Sequence, residues 1–427
     1  MKRTTASFAI NNFEQFKTQM LLWANRFNIC VLLDNHQYPS KHHQVECLLA
    51  AGVVNTFTPT SNALAELKSF QQNTNDWIFG HVSYDFKNSI EPFNSIHPDP
   101  ICFPELFFFQ PEIVIQLFET KVEIAVLNRS AEDIYAAIIQ LSPIPENHSS
   151  IHLLPRIPKN IYLETIHQLQ QHILRGDCYE INFCQEFYSD EAVIDPLSTY
   201  QQLTKISPAP FACYYKLDDK YLLCASPERY IKKTGTTIIS QPIKGTQRRD
   251  LFSEENDEAL KLQLGNNVKE KSENVMIVDL VRNDLSKVCK EASVTVEELF
   301  GIYTFPQVHQ MISTITGELK DGTDITDVLK ASFPMGSMTG APKKKVMELI
   351  EQYEQSKRGI YSGSVGYITP EKDFDFNVVI RSITYNQSNK YLSYHAGSAI
   401  TYNSDPEKEY EECLLKAASM KKVFQPQ

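Results

Sequence analysis

The sequence predicts a mixed α/β protein, because runs typical of strands alternate with runs typical of helices along the whole chain. Residues 29–33 form a short apolar run of the first kind, whereas large apolar residues recur at helical spacing over 13–27. The 427 residues are 42% hydrophobic and 22% charged, as in an ordinary soluble globular protein. This length allows two or three average domains, or one large α/β body.

The first 150 residues are predicted to be a scaffold. Strands are expected at 29–33, 77–84 and 112–117, and helices at 13–27, 63–70 and 131–141. The aromatic residues at helical spacing are expected to face a core rather than a ligand. Residues 141–160 carry four prolines, which indicates a connector, so the chain divides into regions 1–150 and 160–424.

The second region continues the alternation of strands and helices. Strands are expected at 178–188, 212–216, 221–225, 236–239, 361–368, 377–385 and 391–396. Helices are expected at 161–175, from Ser253 to about Leu285 with a break near Gly265, at 342–353 and at 405–424. Asp405 or Ser404 and then Pro406 form a typical helix start.

Charge and cysteine usage exclude several classes of protein. A net charge of -11 disfavours nucleic-acid and anionic-membrane partners, because an acidic surface repels both. No apolar run reaches membrane-spanning length, and no apolar signal core follows Met1–Thr4. Nine cysteines without a CxxC pattern indicate reduced thiols and a cytoplasmic location. Any metal site is then expected to use oxygen ligands.

Lysine 244 is the first candidate for chemistry. Thirteen of the fifteen glycines lie between Gly176 and Gly397, and glycine marks tight turns and close approach to ligands. Lys244 follows a predicted strand, between Pro242 and Gly245. In poorly hydrated surroundings its amine would become a nucleophile. The alternative is a solvated lysine at a strand end, which is the commoner case.

Acidic residues on two predicted helices form a second candidate. Glu409, Glu412 and Lys416 are spaced three and four apart, so they share one helix face. A solvated face with a Glu–Lys pair is the favoured interpretation of that spacing alone. Glu273 opens a strongly apolar helix, where a carboxylate is less easily explained as surface decoration. Carboxylates from two helices, with waters and a substrate carboxylate, would suit Mg²⁺.

Two further features predict the binding of anions. Arg381 lies in an apolar run and needs an anionic partner, which could be a ligand carboxylate or a structural ion pair. The turn at 336–340 precedes a helix and offers N–H groups and the hydroxyls of Ser337 and Thr339, although a simple helix cap is the alternative. Together with the lysine and the glutamates, these features suggest a small poly-carboxylate ligand.

Seven segments together resemble the chorismate-utilising enzymes, and most closely the aminodeoxychorismate synthase component I branch. They are SPERY (226–230), PIKGT (242–246), ENVMIVDLVRNDL (273–285), FPMGSMTGAPKKKVMELI (333–350), YSGSVGYI (361–368), VVIRS (378–382) and SDPEKEYEECLLKA (404–417). They cover nearly all of residues 160–420 in the order found in the family. Residues 1–150 are similar more loosely, through VLLDN (31–35) and FGHVSYDF (79–86).

The resemblance implies a fold and a set of roles. The expected fold is one α/β (α+β) body, in which a large antiparallel β-sheet sandwich is wrapped by helices, as in anthranilate synthase component I. Region 160–424 would then be the catalytic region, and region 1–150 a scaffold with a possible regulatory pocket. The resemblance assigns Mg²⁺ to Glu273 and Glu412, substrate carboxylates to Tyr361, Arg381, Gly397 and Lys416, general acid/base chemistry at the 4-hydroxyl to Glu228, and a place near the metal to Glu409.

Lys244 distinguishes the branches of the family. In the branch that this chain resembles, the matching lysine attacks C2 of chorismate and expels the 4-hydroxyl, and ammonia then adds at C4. Anthranilate synthases usually carry alanine there, and the water-adding relatives use a lysine where this chain has Glu180. The chain departs from many relatives at Ala399 and at Gln310, where glycine and histidine are common.

The implied function is amination of chorismate to 4-amino-4-deoxychorismate in para-aminobenzoate and folate biosynthesis. The ammonia would come from a separate glutamine amidotransferase subunit, because the chain lacks a glycine-flanked cysteine of the amidotransferase type. The alternatives are anthranilate synthase component I and a catalytically inactive ligand-binding paralogue.

Overall fold

Two antiparallel sheets form the centre of the computed structural model, which describes residues 3–38, 41–42, 45–142 and 149–425. The larger sheet has twelve strands in the order β1-β8-β7-β3-β2-β11-β12-β21-β22-β10-β18, with β9 beside β10. Its strands are β1 Thr4–Ala9, β2 Ile29–Asp34, β3 Cys47–Ala51, β7 Ile113–Leu117, β8 Lys121–Val126, β9 Leu154–Pro155, β10 Glu180–Ser189, β11 Phe211–Leu217, β12 Lys220–Ser226, β18 Gly340–Ala341, β21 Ser382–Asn386 and β22 Tyr391–Ile400.

The smaller sheet has ten strands in the order β15-β17-β14-β13-β20-β19-β5-β6-β4, with β16 beside β17. Its strands are β4 Asn55–Phe57, β5 Ile78–Val82, β6 Leu106–Gln110, β13 Arg229–Thr234, β14 Thr237–Gln241, β15 Ile243–Arg248, β16 Thr295–Thr304, β17 Val308–Glu318, β19 Ser364–Ile368 and β20 Phe374–Asn377. Both sheets combine strands from before and after the proline-rich connector, whose residues 143–148 lie outside the described part of the chain.

Alternating side chains explain why the sheets form a sandwich. On β3, Leu48 and Ala50 point into a core between the two sheets, whereas Leu49 and Ala51 point to the outer face. On β6, Phe107 and Phe109 likewise join the central core, while Leu106 and Phe108 pack outward. A strand with both faces apolar must be covered on both sides, so helices pack against each outer surface.

The helices of the described residues are α1 Phe13–Ala24, α2 Ala63–Asn73, α3 Lys87–Ile90, α4 Ala131–Ile139, α5 Lys159–Leu174, α6 Pro196–Ile206, α7 Glu254–Asn266, α8 Val268–Val288, α9 Ile325–Ser332, α10 Lys343–Tyr353 and α11 Pro406–Val423. Local sequence determines their starts. Asp405 accepts two backbone N–H bonds at the start of α11, and Ser253 caps α7 in the same way with one. Asn267 caps α8, which places the predicted break two residues beyond Gly265.

The expected antiparallel sandwich wrapped by helices is therefore confirmed. Two local predictions are wrong. Residues 377–385 are not one strand: β20 ends at Asn377 in one sheet and β21 begins at Ser382 in the other. The backbone N–H groups of Val378 and Val379 donate to the carbonyls of Glu228 and Gly363, so this segment carries the chain between the sheets.

The second wrong prediction concerns Lys244, which does not lie at a strand end. It lies within β15, a separate strand that pairs with β17 and whose register shifts between Ile243 and Thr246. Gly245 has a φ of +94° at this irregularity, a conformation that favours glycine. No helix among the described residues is both long enough and apolar enough to span a bilayer.

Candidate active site

A cavity of about 660 Å³ collects most of the predicted site residues. Strands of both sheets line it, together with α8 and α11. The predicted residues on its wall are Glu228, Lys244, Glu273, Ser337, Tyr361, Arg381, Gly397, Glu412 and Lys416. Glu409 and Thr339 lie outside this lining, although Glu409 is connected to it through an ion pair described below.

Lys244 has its amine buried against acids rather than exposed to solvent. Its Nζ donates to Oε1 of Glu180 at 2.6 Å, and the two side chains are 10% and 1% exposed. Burial lowers the pKa of Lys244, but Glu180, Glu273 and Glu412 more than offset that effect, so the pKa is raised overall. The amine is thus removed from water, as the nucleophile hypothesis requires. Its carboxylate neighbours nevertheless hold it as an ammonium in the resting protein.

Glu228 occupies the end of the loop between β12 and β13. Its side chain is buried, and its backbone N–H donates to Oγ of Ser226. Burial raises the pKa of Glu228 to about 7, against the opposing influence of Ser337, Lys244 and Arg381. A carboxyl group with this pKa is half protonated near neutral pH, so it can donate a proton to a leaving hydroxyl.

The acidic residues of α8 and α11 meet across the cavity. Nζ of Lys269 lies 3.1 Å from Oε1 of Glu409 and 3.7 Å from Oε1 of Glu273. Glu409 is 2% exposed, so the solvated-face interpretation is wrong for this residue. Burial raises the pKa of Glu273 to about 7, although Lys244 and Lys269 oppose the rise. The ionised form of a buried carboxylate is destabilised unless a cation lies beside it.

Glu412 and Lys416 form the predicted i,i+4 pair of α11. The distance between Nζ and Oε1 is 2.7 Å, and both side chains are a little over one-third exposed. Lys416 lowers the pKa of Glu412, so this carboxylate is ionised at neutral pH. Nζ of Lys416 also donates to the carbonyl of Gly397 at 3.2 Å, which ties the helix to β22.

Gly397 of β22 pairs with Cys184 of β10, and the two backbones leave no room for a side chain there. A Cβ atom there would lie 2.1 Å from the carbonyl oxygen of Phe183 and 2.6 Å from Sγ of Cys184. We therefore expect Gly397→Ala to destabilise the fold by several kcal/mol, because overpacking of backbone against backbone cannot relax. A thermal melt checks this, with Gly235→Ala as the control: a Cβ at Gly235 meets no atom within 4 Å, although its φ of +59° adds some strain. Equal melting temperatures for the two variants would contradict the expectation.

Arg381 is the cation best placed for an anionic ligand. It lies in the segment between the sheets with a φ of +49°, so the expected buried strand position is wrong. Its charge interacts with Glu228 and Tyr38, but its guanidinium forms no salt bridge within the described ranges, which disfavours the structural-pair alternative. Burial lowers the pKa of Arg381 to about 10, with Glu228 opposing, and the group stays charged at neutral pH. Its fork remains available for a ligand carboxylate.

The turn at 336–340 contributes only one of its two predicted hydroxyl groups, that of Ser337, to the cavity wall. Oγ of Ser337 is buried on the cavity wall close to the carboxyl group of Glu228, whose pKa it acts to lower. Oγ1 of Thr339 donates to the carbonyls of Met335 and Gly336, so it stabilises the turn. Opposite them, the ring of Tyr361 stacks on His395 at 4.9 Å and closes another side of the cavity.

Sequence reasoning missed three neighbours of the site. The resemblance marks Glu180 only as the position where the water-adding relatives use a lysine, yet its Oε1 accepts a hydrogen bond from Lys244. Glu270 lines the cavity one turn before Glu273, and the buried Gln310 lines it with an unpartnered Oε1. The i,i+3 spacing of Glu270 and Glu273 could have indicated that Glu270 shares the face of α8 that carries Glu273. No local pattern joins residues 180 and 244.

The residues fit a small divalent cation. Oε1 of Glu273 and Oε2 of Glu409 are buried, and neither accepts a hydrogen bond from any residue that the structure describes. No preformed group of three or more His, Cys, Asp or Glu side chains that could hold a metal occurs in the described ranges. Mg²⁺ commonly uses one or two carboxylates and completes its shell with water and substrate oxygens, so Glu273 and Glu412 could supply its protein ligands.

Comparison with known proteins identifies the family. The model of the chorismate binding enzyme family matches residues 30–422. The chain is 42% identical over 270 residues to the rice protein named "Probable aminodeoxychorismate synthase, chloroplastic", which covers 62% of this chain and 30% of that protein. It is 31% identical over 364 residues to aminodeoxychorismate synthase component 1 of Bacillus subtilis, covering 81% of this chain and 76% of the relative. Anthranilate synthase component 1 of Saccharolobus solfataricus is 33% identical over 344 residues, with 81% and 79% covered.

Two solved structures share the fold. Anthranilate synthase component I from Streptococcus pneumoniae has a TM-score of 0.75 at 24% identity, covering 98% of this chain and 92% of that one. The menaquinone-specific isochorismate synthase from Escherichia coli has a TM-score of 0.79 at 17% identity, with 99% and 95% covered. At these identities the likeness concerns the fold alone. The residues of the cavity must therefore decide the chemistry.

Proposed function

The chain belongs to the chorismate binding enzyme family, and from this premise we propose that it aminates chorismate to 4-amino-4-deoxychorismate in para-aminobenzoate and folate biosynthesis. The observation that carries the proposal is the amine of Lys244, buried in the cavity opposite acids from two helices. The bacterial and plant relatives that bear the aminodeoxychorismate synthase name support it.

The cavity can hold the two carboxylates of chorismate at separate cations. Arg381 and Lys416 both line the cavity, and Nζ of Lys416 also contacts the carbonyl of Gly397. Ser337 and Tyr361 add hydroxyl groups to the same lining. Bidentate and charge-assisted contacts of this kind orient a rigid ring, so a fixed face of the ring is presented to Lys244.

Lys244 is then the nucleophile and Glu228 the acid. The amine adds to C2 of the ring, the two ring double bonds shift, and the C4–O bond breaks while Glu228 protonates the departing oxygen to give water. Ammonia adds at C4 and the C2–N bond breaks, which releases Lys244 and the product. Covalent catalysis of this type divides one difficult substitution into two easier ones.

We further propose Mg²⁺ as the cofactor, with Glu273 and Glu412 as its protein ligands and Glu409 beside them. The ion would neutralise the ring carboxylate and complete its shell with oxygens from substrate and water. The unpartnered Oε1 of Glu273 supports this assignment. Lys269 already balances part of the charge of Glu409.

The proposed partners are chorismate and a separate glutamine amidotransferase subunit that delivers ammonia. The names of the bacterial relatives, which designate component 1, support a second component. High concentrations of ammonium should replace that subunit. A cytoplasmic location is also proposed, which the nine free thiols support.

The deciding experiment is incubation of the protein with chorismate, Mg²⁺ and ammonium, followed by identification of the product by mass and absorbance. The expected product retains the enolpyruvyl group and has gained an amino group. Fluorescent anthranilate without added lyase would identify the chain as an anthranilate synthase instead. Unchanged chorismate, with the protein folded and the ligand bound, would identify a catalytically inactive paralogue.

Glu412→Gln is expected to raise the Mg²⁺ concentration needed for half-maximal activity by about tenfold or more, because a neutral amide is a weaker ligand than a carboxylate. A magnesium titration of initial rates measures this. Glu407→Gln is the control, since Glu407 lies on the same helix but pairs with Lys159 instead of facing the cavity. The same titration curve for wild type and Glu412→Gln would refute the ligand assignment.

A further inference from the structure

Glu180 is the buried carboxylate nearest to the proposed nucleophile. It begins β10, pairs with Ala341 of β18 across the sheet, and has a side chain that is 1% exposed. Its Oε1 accepts a hydrogen bond from Nζ of Lys244. Within the described ranges it is the one carboxylate in hydrogen-bond contact with that amine.

The second oxygen of Glu180 sets this carboxylate apart from two buried structural carboxylates, Glu186 and Glu354. Both oxygens of Glu186, on the same strand, are occupied, by Arg156 and by the hydroxyl of Tyr391. Both oxygens of Glu354 are likewise occupied by Arg358 and the backbone of Cys184. Oε2 of Glu180 is buried and has no partner among the described residues. A carboxylate that only supported the fold would be expected to satisfy both oxygens.

The chemistry of Lys244 requires a group of this kind. An ammonium has no free electron pair and cannot attack carbon, and the carboxylates around Lys244 favour its ammonium form. Glu228 must start the reaction protonated, so it cannot accept this proton. Glu273 and Glu412 are proposed to hold the cation and form no ion pair with Lys244.

We propose that Glu180 is the proton acceptor that converts the Lys244 ammonium into the attacking amine. This inference rests on the proposed amination of chorismate. It deepens that proposal by identifying the base that deprotonates the nucleophile.

The proton balance closes over one turnover. A proton moves from Nζ of Lys244 to the Glu180 carboxylate, and the freed electron pair forms the bond to C2. The C4–O bond breaks and water leaves with the proton of Glu228. When ammonia forms the C4–N bond, the C2–N bond breaks and returns a neutral amine, which recovers its proton from Glu180. The new C4 ammonium returns a proton to Glu228, so chorismate and ammonia give the product and water.

Burial explains why this transfer can occur once substrate is bound. A charged pair removed from water costs more free energy than a neutral amine beside a neutral acid. The side chain of Lys244 still has 10% of its surface exposed toward the cavity. A ring bound there would exclude the remaining water and thereby favour the neutral pair.

The test uses formation of the covalent adduct in the full-length protein. Enzyme is mixed with chorismate and Mg²⁺ in the absence of ammonia, quenched rapidly, and its intact mass is followed for the addition of chorismate less one water. In Glu180→Gln the amide oxygen still accepts the hydrogen bond but cannot take the proton. We expect adduct formation to slow by about 10²-fold or more, with the dissociation constant for chorismate within threefold of wild type.

Two further variants distinguish a role of Glu180 as the base from a purely structural role. Glu180→Asp keeps a carboxylate and should form the adduct faster than Glu180→Gln. Glu186→Gln removes another buried charge from β10, one that pairs with Arg156 and does not line the cavity, and should leave the adduct rate unchanged while lowering stability. A Glu180→Gln rate within threefold of wild type, a parallel loss of chorismate binding, or an aspartate variant slower than the glutamine variant would overturn the inference.

The outcome also separates this inference from the proposed function. If wild type makes the amino product and Glu180→Gln makes it as quickly, the inference about Glu180 fails and the amination of chorismate stands. If wild type makes neither adduct nor amino product, the proposed function fails and the role of Glu180 fails with it.

Discussion

Replacing Lys244 with alanine is expected to reduce amination of chorismate by at least 10³-fold, equivalent to about 4 kcal/mol of lost transition-state stabilisation. The physical reason is that alanine lacks the nucleophilic amine. Among the described residues, Lys244 supplies the only amine in hydrogen-bond contact with Glu180, and it lies on the wall of the cavity. Initial rates with chorismate, Mg²⁺ and saturating ammonium measure the effect. The intact mass of this variant should show no adduct.

The matched control is Lys233→Ala. The Lys233 side chain is 13% exposed against 10% for Lys244, and it pairs with Asp373 in the same sheet but away from the cavity. Its turnover should be close to that of wild type. Near wild-type turnover in Lys244→Ala would remove the nucleophile role.

The alanine variant should also be less stable, because Glu180 would remain buried without its cation. The cost is expected to be about 1–3 kcal/mol, the range for leaving a buried polar group unsatisfied. Combining Lys244→Ala with Glu180→Gln removes the orphaned charge, so the double variant should recover much of the lost stability. Chemical denaturation of the three proteins checks this, and additive losses would indicate that the two side chains are not coupled.

Replacing Glu228 with glutamine is expected to lower the turnover by about 10²- to 10⁴-fold, because the departing hydroxyl loses its proton donor. In wild type the acid form of Glu228 predominates below its pKa of about 7. The wild-type rate of adduct formation should therefore fall as the pH rises through 7, and this limb should be absent from the residual rate of the variant. An unaltered pH profile in Glu228→Gln would show that another group is the acid.

The same substitution should stabilise the protein at high pH. Burial raises the folded-state pKa of Glu228 above its unfolded value, so the folded protein is progressively destabilised as the pH rises from about 4.3 through 7. At pH 8 the glutamine variant should melt at a higher temperature than wild type, and at pH 5 the two should be similar. Glu164→Gln, on the exposed face of α5, should change neither stability nor turnover.

Local pattern was sufficient to predict most elements and to single out residues that the structure brings to one cavity. Helix starts at Ser253 and Asp405 follow from side-chain caps, which depend on neighbours two or three positions away. Segments such as PIKGT and SPERY carried the family resemblance in the same local way. The failure at 377–385 has a physical origin, because an apolar run does not report that its backbone leaves one sheet for the other.

The environment of each charge could not be predicted from spacing. Glu409, Glu412 and Lys416 share a helix face, yet Glu409 is buried against Lys269 from α8 while the other two remain partly exposed. Helical periodicity defines which residues share a face but not what covers that face. The solvated-face interpretation was therefore reasonable and wrong for one residue of the three.

By itself, the sequence determined the family, the antiparallel sandwich, and the identity of the lysine, arginine and glutamates that the cavity brings together. Only the tertiary structure decided that Lys244 is held by Glu180, 64 positions earlier in the chain and on the other sheet. The reason is that hydrogen bonding and burial depend on which strands are packed face to face. Chain segments far apart in sequence set that packing, and with it the protonation states that the proposed chemistry needs.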